Sequence, residues 1–206
     1  MKKLALLSLI SVVLLPTIVM SATCIPYSEN YALEANGAKG TLAKVQTIKG
    51  NNYSITSTIN ASKFFVTKTI VQTATGTCDA QGNVVAKNFM LTKDDNSDNE
   101  TLAENQFDTL SLVLFLSNSL SANLTSFPQT QLLYNGKYIA VQCAISSANA
   151  TFTSGGGQSI SATQITCATA DNATVLSYAF SQDVTHKMLF ADAVENGKTT
   201  LSAIIN

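Results

Sequence analysis

Arginine and tryptophan are absent from this 206-residue chain, which has one histidine, His186, and three prolines. Without arginine there is no guanidinium fork for bidentate recognition of phosphate or carboxylate. All twelve cations are lysines, scattered along the chain and offset by thirteen acids. Nucleic acid needs a concentrated basic surface to displace its counterions, so it is not expected as a partner. A lone histidine and four cysteines with no C-x-x-C pair supply neither a zinc set nor a thioredoxin-like redox motif. Serine hydrolase chemistry lacks its G-x-S-x-G elbow. Asp183 precedes His186 by three residues and Ser177 and Ser181 lie nearby, but the pair falls in an apparent turn between strands. Asp94 and Asp95 are adjacent and point apart, whereas glycoside hydrolysis needs two carboxylates facing one pocket. No catalytic residue, metal ligand or cofactor is therefore expected. The chain reads as non-enzymatic, a hydrolase of unknown type being the enzyme alternative.

What is present begins with an export signal. Lys2 and Lys3 precede an apolar run from Leu4 to Met20, followed by the small residues Ser21 and Ala22. Residues 1–22 are read as a cleaved signal peptide and 23–206 as one β-rich domain. Met20 fits poorly at the third position before that cut, which leaves an uncleaved anchor as the competing reading. Lipidation of Cys24, giving an outer-membrane lipoprotein, is disfavoured because Thr23 is larger than the residue such a site prefers and Ser21 replaces the usual leucine. Removing Lys2 and Lys3 leaves 10 lysines against 13 acids, a mature charge of 10 − 13 = −3. The Met-Lys-Lys start points to a bacterium and its periplasm. Six N-x-S/T sequons, at Asn52, Asn60, Asn99, Asn123, Asn149 and Asn172, are read as chance in a chain rich in Asn, Ser and Thr. Four cysteines after the cut imply two disulfides, with three connectivities open.

From Tyr27 onward, short runs rich in Val, Ile, Tyr, Phe and Thr alternate with turn residues, the pattern of antiparallel strands. Asn36-Gly37, Asn135-Gly136 and Asn196-Gly197 mark hairpins. Tyr53, Ile55, Ser57 and Ile59 alternate with Ser54, Thr56 and Thr58, giving one buried and one wet face. Strands are expected at 31–35, 41–48, 53–59, 64–75 and 84–93, then at 130–134, 137–146, 160–169, 174–181, 187–194 and 198–205. Asp94 to Glu104 reads as a solvated loop. Asp94, Asn96 and Asp98 have EF-hand spacing, but Asn99 replaces the glycine and Asn105 the twelfth-position acid. A hairpin folded symmetrically about Gly155 would set Cys143 opposite Cys167, so those two are expected to pair, leaving Cys24 for Cys78.

One stretch differs. Phe107 to Ala122 carries eight large apolar residues, Phe107, Leu110, Leu112, Val113, Leu114, Phe115, Leu116 and Leu120, which at helical periodicity leave a narrow polar stripe of Asp108, Ser111, Asn118 and Ser119. It is too short to cross a bilayer, which takes about 20 apolar residues. The reading is a helix buried as the plug of a curved sheet, with Asn105 or Asp108 as its cap and with Asn118, on the stripe, expected to tolerate Asp. The fold class is thus mainly β (α+β), one strongly curved, half-barrel-like antiparallel sheet wrapped around a single buried helix.

Three segments, the run from Tyr31 to Gly40 (YALEANGAKG), Asp108 to Leu112 (DTLSL) and Phe152 to Gly156 (FTSGG) before the Ile160 to Ile165 strand, resemble an exported bacterial family catalogued as domain of unknown function 3108. The chain departs from that family in lacking an arginine at the end of the helix, where Ser117, Asn118 and Ser119 stand, and in having a GGG turn. The resemblance implies a periplasmic curved sheet, similar in outline to carriers of lipids and lipoproteins, and no catalytic residues. Two functions are expected from these readings. The first is a carrier whose cavity, lined by Phe64, Val66, Leu114, Phe115, Tyr178 and Phe180, holds an apolar or envelope-derived ligand. The second is a structural protein that assists cell-envelope assembly by binding an envelope protein through exposed strand edges.

Overall fold

The computed structural model describes residues 24–64, 66–79, 81–94 and 96–206. The expected signal peptide, 1–22, and Asp95 lie outside the described residues. Among the described residues, seven strands precede the helix: β1 (Tyr27–Ala35), β2 (Ala38–Lys49), β3 (Asn52–Lys63), β4 (Val66–Cys78), β5 (Val84–Lys93), β6 (Asn96–Thr101) and the short β7 (Gln106–Asp108). After α1 (Thr109–Ser121) come β8 (Thr130–Tyr134), β9 (Lys137–Thr153), β10 (Ser159–Ala168), β11 (Thr174–Ser181), β12 (Met188–Glu195) and β13 (Lys198–Ile205).

All thirteen strands form one sheet in the order β6-β5-β4-β3-β2-β1-β13-β12-β11-β10-β9-β8-β7. It is not closed into a barrel by a ladder. Its two halves are runs of hairpins joined where β1 pairs with β13, Tyr31 opposite Ile205. The sheet is antiparallel throughout except at its last pair, where β7 runs parallel to β8. It curls until β5 comes close to β7, and α1 lies inside the curl against β3, β4, β5, β7 and β8. The curl follows from the right-handed strand twist accumulated over many strands, and register shifts within the β4–β5, β9–β10, β11–β12 and β12–β13 pairs add local bends.

The hairpin turns have the expected cause. Asn36 and Gly37, Asn135 and Gly136, and Asn196 and Gly197 all have positive φ, between 49° and 76°, the left-handed backbone of the tight turn that matches strand twist. The β3–β4 turn breaks this rule, because Phe64 takes a φ of 48° there. Phe64 is consequently a turn residue and not the start of a strand.

Both expected disulfides are formed, Cys24–Cys78 and Cys143–Cys167. Cys143 stands opposite Cys167 in the β9–β10 register, reached through register shifts nearer the turn. Two further expectations are corrected. The segment read as a solvated loop contains β6, an edge strand whose six residues are all exposed; with neither face buried it has no apolar alternation to signal it. The polar stripe of α1, in turn, does not face water. Asp108, Ser111, Asn118 and Ser119 are all buried, and each has a partner. Asp108 is the N-cap and accepts from the Leu110 and Ser111 amides at 2.8 and 3.0 Å. Tyr53 Oη donates to Ser111 Oγ at 2.8 Å, and Ser111 Oγ donates to Asp108 Oδ2 at 2.5 Å. Asn118 Nδ2 lies 2.9 and 3.2 Å from the sulfurs of Cys24 and Cys78 and 3.2 Å from the Gly82 carbonyl. The stripe thus fixes the helix to the sheet at both ends, and Asn118 is no site for a carboxylate.

Candidate functional site

The plug fills only part of the curl. Beside α1 the concave face encloses a cavity of about 650 Å³, within the range of small-molecule sites. Its apolar wall includes Leu42 and Ile59 from β2 and β3, Leu91 from β5, Val113 from α1, Leu176 from β11 and Leu201 from β13. Small side chains on one side leave the space, since Ala191 and Ala193 of β12 and Ala203 of β13 line it where larger residues would fill it. The exposed lining residues Asn36, Asp98, Glu100 and Asn135 mark the mouth, between β6 and the β1–β2 and β8–β9 turns. Near it, Tyr134 Oη and Asn135 Nδ2 donate to Glu195 Oε1 at 2.8 and 3.1 Å.

A polar row crosses this apolar face. Register sets Lys44 of β2 opposite Ser57 of β3, and Ser57 opposite Gln72 of β4; all three line the cavity. Lys44 is 1% exposed and Ser57 is fully buried. Neither Lys44 Nζ nor Ser57 Oγ has a hydrogen-bond partner among the described residues. The surroundings explain why the amine is left over. Glu29 stands opposite Lys44 in the β1–β2 register, but its carboxylate accepts from Lys187 Nζ at 3.0 Å. The Asp108 carboxylate is engaged by Leu110 and Ser111, and the Tyr27 ring offers its face 5.4 Å from Lys44 Nζ. Burial drives the Lys44 pKa down to about 7 against the opposing pull of the Asp108 charge. Burial also raises Asp108, opposed by its bonds from Ser111 and the helix amides. Desolvation likewise raises the phenols of Tyr27, Tyr31, Tyr53 and Tyr178.

The residues expected to line a cavity are dispersed. Tyr178 does line it, beside Leu176 on the same face of β11. Phe64, 84% exposed, and Val66, 58% exposed, stand at the β3–β4 hairpin end, because the strands run past the core before they turn. Leu114, one turn on from Leu110, is buried core and does not line the cavity. Phe115 packs against Phe107 and Phe127, with ring centroids 5.1 and 6.4 Å away. Phe180 is fully buried beside Tyr178, beyond the cavity lining.

His186 occupies the β11–β12 turn with a φ of 41°. Its Nδ1 is 2.9 Å from the Ser181 carbonyl, and Asp183 is instead bonded by Ser181 Oγ and by Thr185. Ser181, Asp183 and His186 thus form a local turn network and not a relay. In the sequence Lys44 is masked by Val45 beside it, which competes for the inward position. The signal was there in the phase of β2, where Leu42, Lys44, Gln46 and Ile48 share one side.

No family model and no curated protein sequence matches the chain. The resemblance to domain of unknown function 3108 stands on its quoted motifs alone. Among solved structures, the chain is similar to the crystal structure of a beta-barrel-like protein of domain of unknown function DUF1849 from Brucella abortus, with 10% identity and a TM-score of 0.48 over 89% of this chain and 97% of that chain. A likeness of that size carries no function across.

Proposed function

We propose that this is an exported, periplasmic, non-enzymatic protein that binds or carries an apolar or envelope-derived ligand on the concave face of its sheet. One observation carries the reading, the cavity of about 650 Å³ left beside α1 with a largely aliphatic wall. Interiors otherwise pack to crystal-like density, and a concave, mostly apolar space with a few polar groups is the form that a small-molecule site takes. Two disulfides favour an oxidising compartment and hence export. Among the described residues no helix is long and apolar enough to cross a membrane. The test is organic extraction of protein purified after native expression, followed by lipid mass spectrometry and titration with a fluorescent acyl probe. A stoichiometric apolar ligand or saturable probe binding is expected; empty protein that binds no probe rejects the reading.

A second reading is favoured by β6, a terminal strand with an unpaired edge and six exposed residues. An envelope protein could add a strand there. In-cell crosslinking from Asp98 or Glu100 is expected to trap a partner on this reading, and recovery of monomer alone counts against it.

A further inference from the structure

We propose that the ligand of the cavity is an amphiphile with an anionic head, a long-chain carboxylate in the simplest case, whose head group lies inward against Lys44 Nζ and Ser57 Oγ. This rests on the cavity reading above and names the class of its ligand. Lys44 and Ser57 are both buried, both without a partner among the described residues, and opposite one another across adjacent strands at the cavity wall. A buried amine lacking an acceptor is costly, so its retention in an aliphatic wall calls for an acceptor brought from outside. The protein's own carboxylates are committed elsewhere, Glu29 to Lys187 and Asp108 to the start of α1.

A carboxylate satisfies both orphan groups at once, one oxygen accepting from the ammonium and the other from the serine hydroxyl. Gln72, next in the same row, extends the polar strip by an amide. The chain would then run along Leu42, Ile59, Leu91, Leu176 and Leu201 toward the mouth. Charge fixes the direction. Asp98, Glu100 and Glu195 line the outer part of the cavity, where an anionic head would be repelled, while the one lysine of the lining stands at its buried wall.

Affinities for palmitate and hexadecanol, which share a chain length and differ in the head, are to be compared by competition against a neutral fluorescent probe. Wild type is expected to bind palmitate about tenfold more tightly than hexadecanol, the scale of one charge-assisted hydrogen bond in a buried site. Lys44→Met, which keeps the length of the side chain without its charge, is expected to bind the two alike, and Ser57→Ala to reduce the preference in part. Equal binding of the two ligands by wild type overturns the proposal while leaving the apolar cavity standing, as does a preference that persists in Lys44→Met. Binding of neither ligand overturns the cavity reading and this proposal together.

Discussion

Replacing Lys44 by methionine is expected to stabilise the protein. The Lys44 pKa falls from 10.5 to about 7 on burial, and at roughly 1.4 kcal/mol per pKa unit this sets a ceiling of about 5 kcal/mol on the cost of holding the charged amine. Relaxation and water entry reduce such costs, and replacement of buried charges by apolar residues of similar size typically yields about 1–4 kcal/mol. For a domain of this size, a gain of about 2–3 kcal/mol below pH 7 corresponds to a rise in melting temperature of roughly 5–10 °C.

The pH dependence distinguishes this cause from a packing gain. A lysine with a depressed folded-state pKa contributes fully only above its unfolded value, and that contribution is lost as pH falls through about 7. Wild-type stability should therefore rise relative to Lys44→Met between pH 7 and 9, with the gap between them shrinking by roughly half. Asp108, Tyr27 and Glu29 are the charged or titratable groups nearest in this network, and the raised tyrosines do not titrate in that window. Thermal melts of both proteins at pH 6 and pH 9 read the difference directly. A Lys44→Met protein less stable than wild type at pH 6, or a gap unchanged at pH 9, would refute the reasoning.

Three further substitutions probe the framework around the cavity. Asn118→Asp removes the amide donor shared by the disulfide sulfurs and the Gly82 carbonyl and buries a carboxylate against them; a loss of about 2–3 kcal/mol in denaturant unfolding is expected. Gly76→Ala should also destabilise, by about 1–3 kcal/mol, since its Cβ would lie 2.2 Å from the Val85 carbonyl oxygen and 2.6 Å from Tyr53 Oη. Tyr53→Phe, by contrast, deletes only the hydroxyl that reaches Ser111 and should cost about 1 kcal/mol in the same assay.

Much of the framework was legible in the sequence because it follows from local rules. Alternation at Tyr53, Ile55, Ser57 and Ile59, the Asn-Gly turns, and the near-continuous apolar character of Leu110 to Leu116 each specify structure within a few residues. The Cys143–Cys167 pair was legible from a hairpin folded about Gly155, although the strands reach that register only through shifts nearer the turn. What escaped depended on contacts distant in sequence. Asn118 and Ser111 look like a solvated stripe until Cys24, Cys78 and Tyr53 are brought to them, from as far as 94 residues away. Lys44 looks like a surface lysine until the β2–β3 register turns it inward beside Ser57. β6 escaped for the opposite reason, since a two-sided polar edge strand carries no periodic signal. The cavity was the least legible feature, because it comes from the coincidence of three alanines, Ala191, Ala193 and Ala203, on adjacent strands.

Those alanines supply the most direct test of ligand binding. Ala191→Trp places a large ring in the cavity from a half-buried wall position, with no charged group altered. Titration of wild type and this variant with a neutral fluorescent acyl probe, each shown to be folded by its thermal melt, measures whether the cavity is the binding site. Saturable binding near one probe per chain in wild type, lost in a folded Ala191→Trp protein, is the expected result. Probe binding of equal strength in both proteins, or in neither, would contradict it.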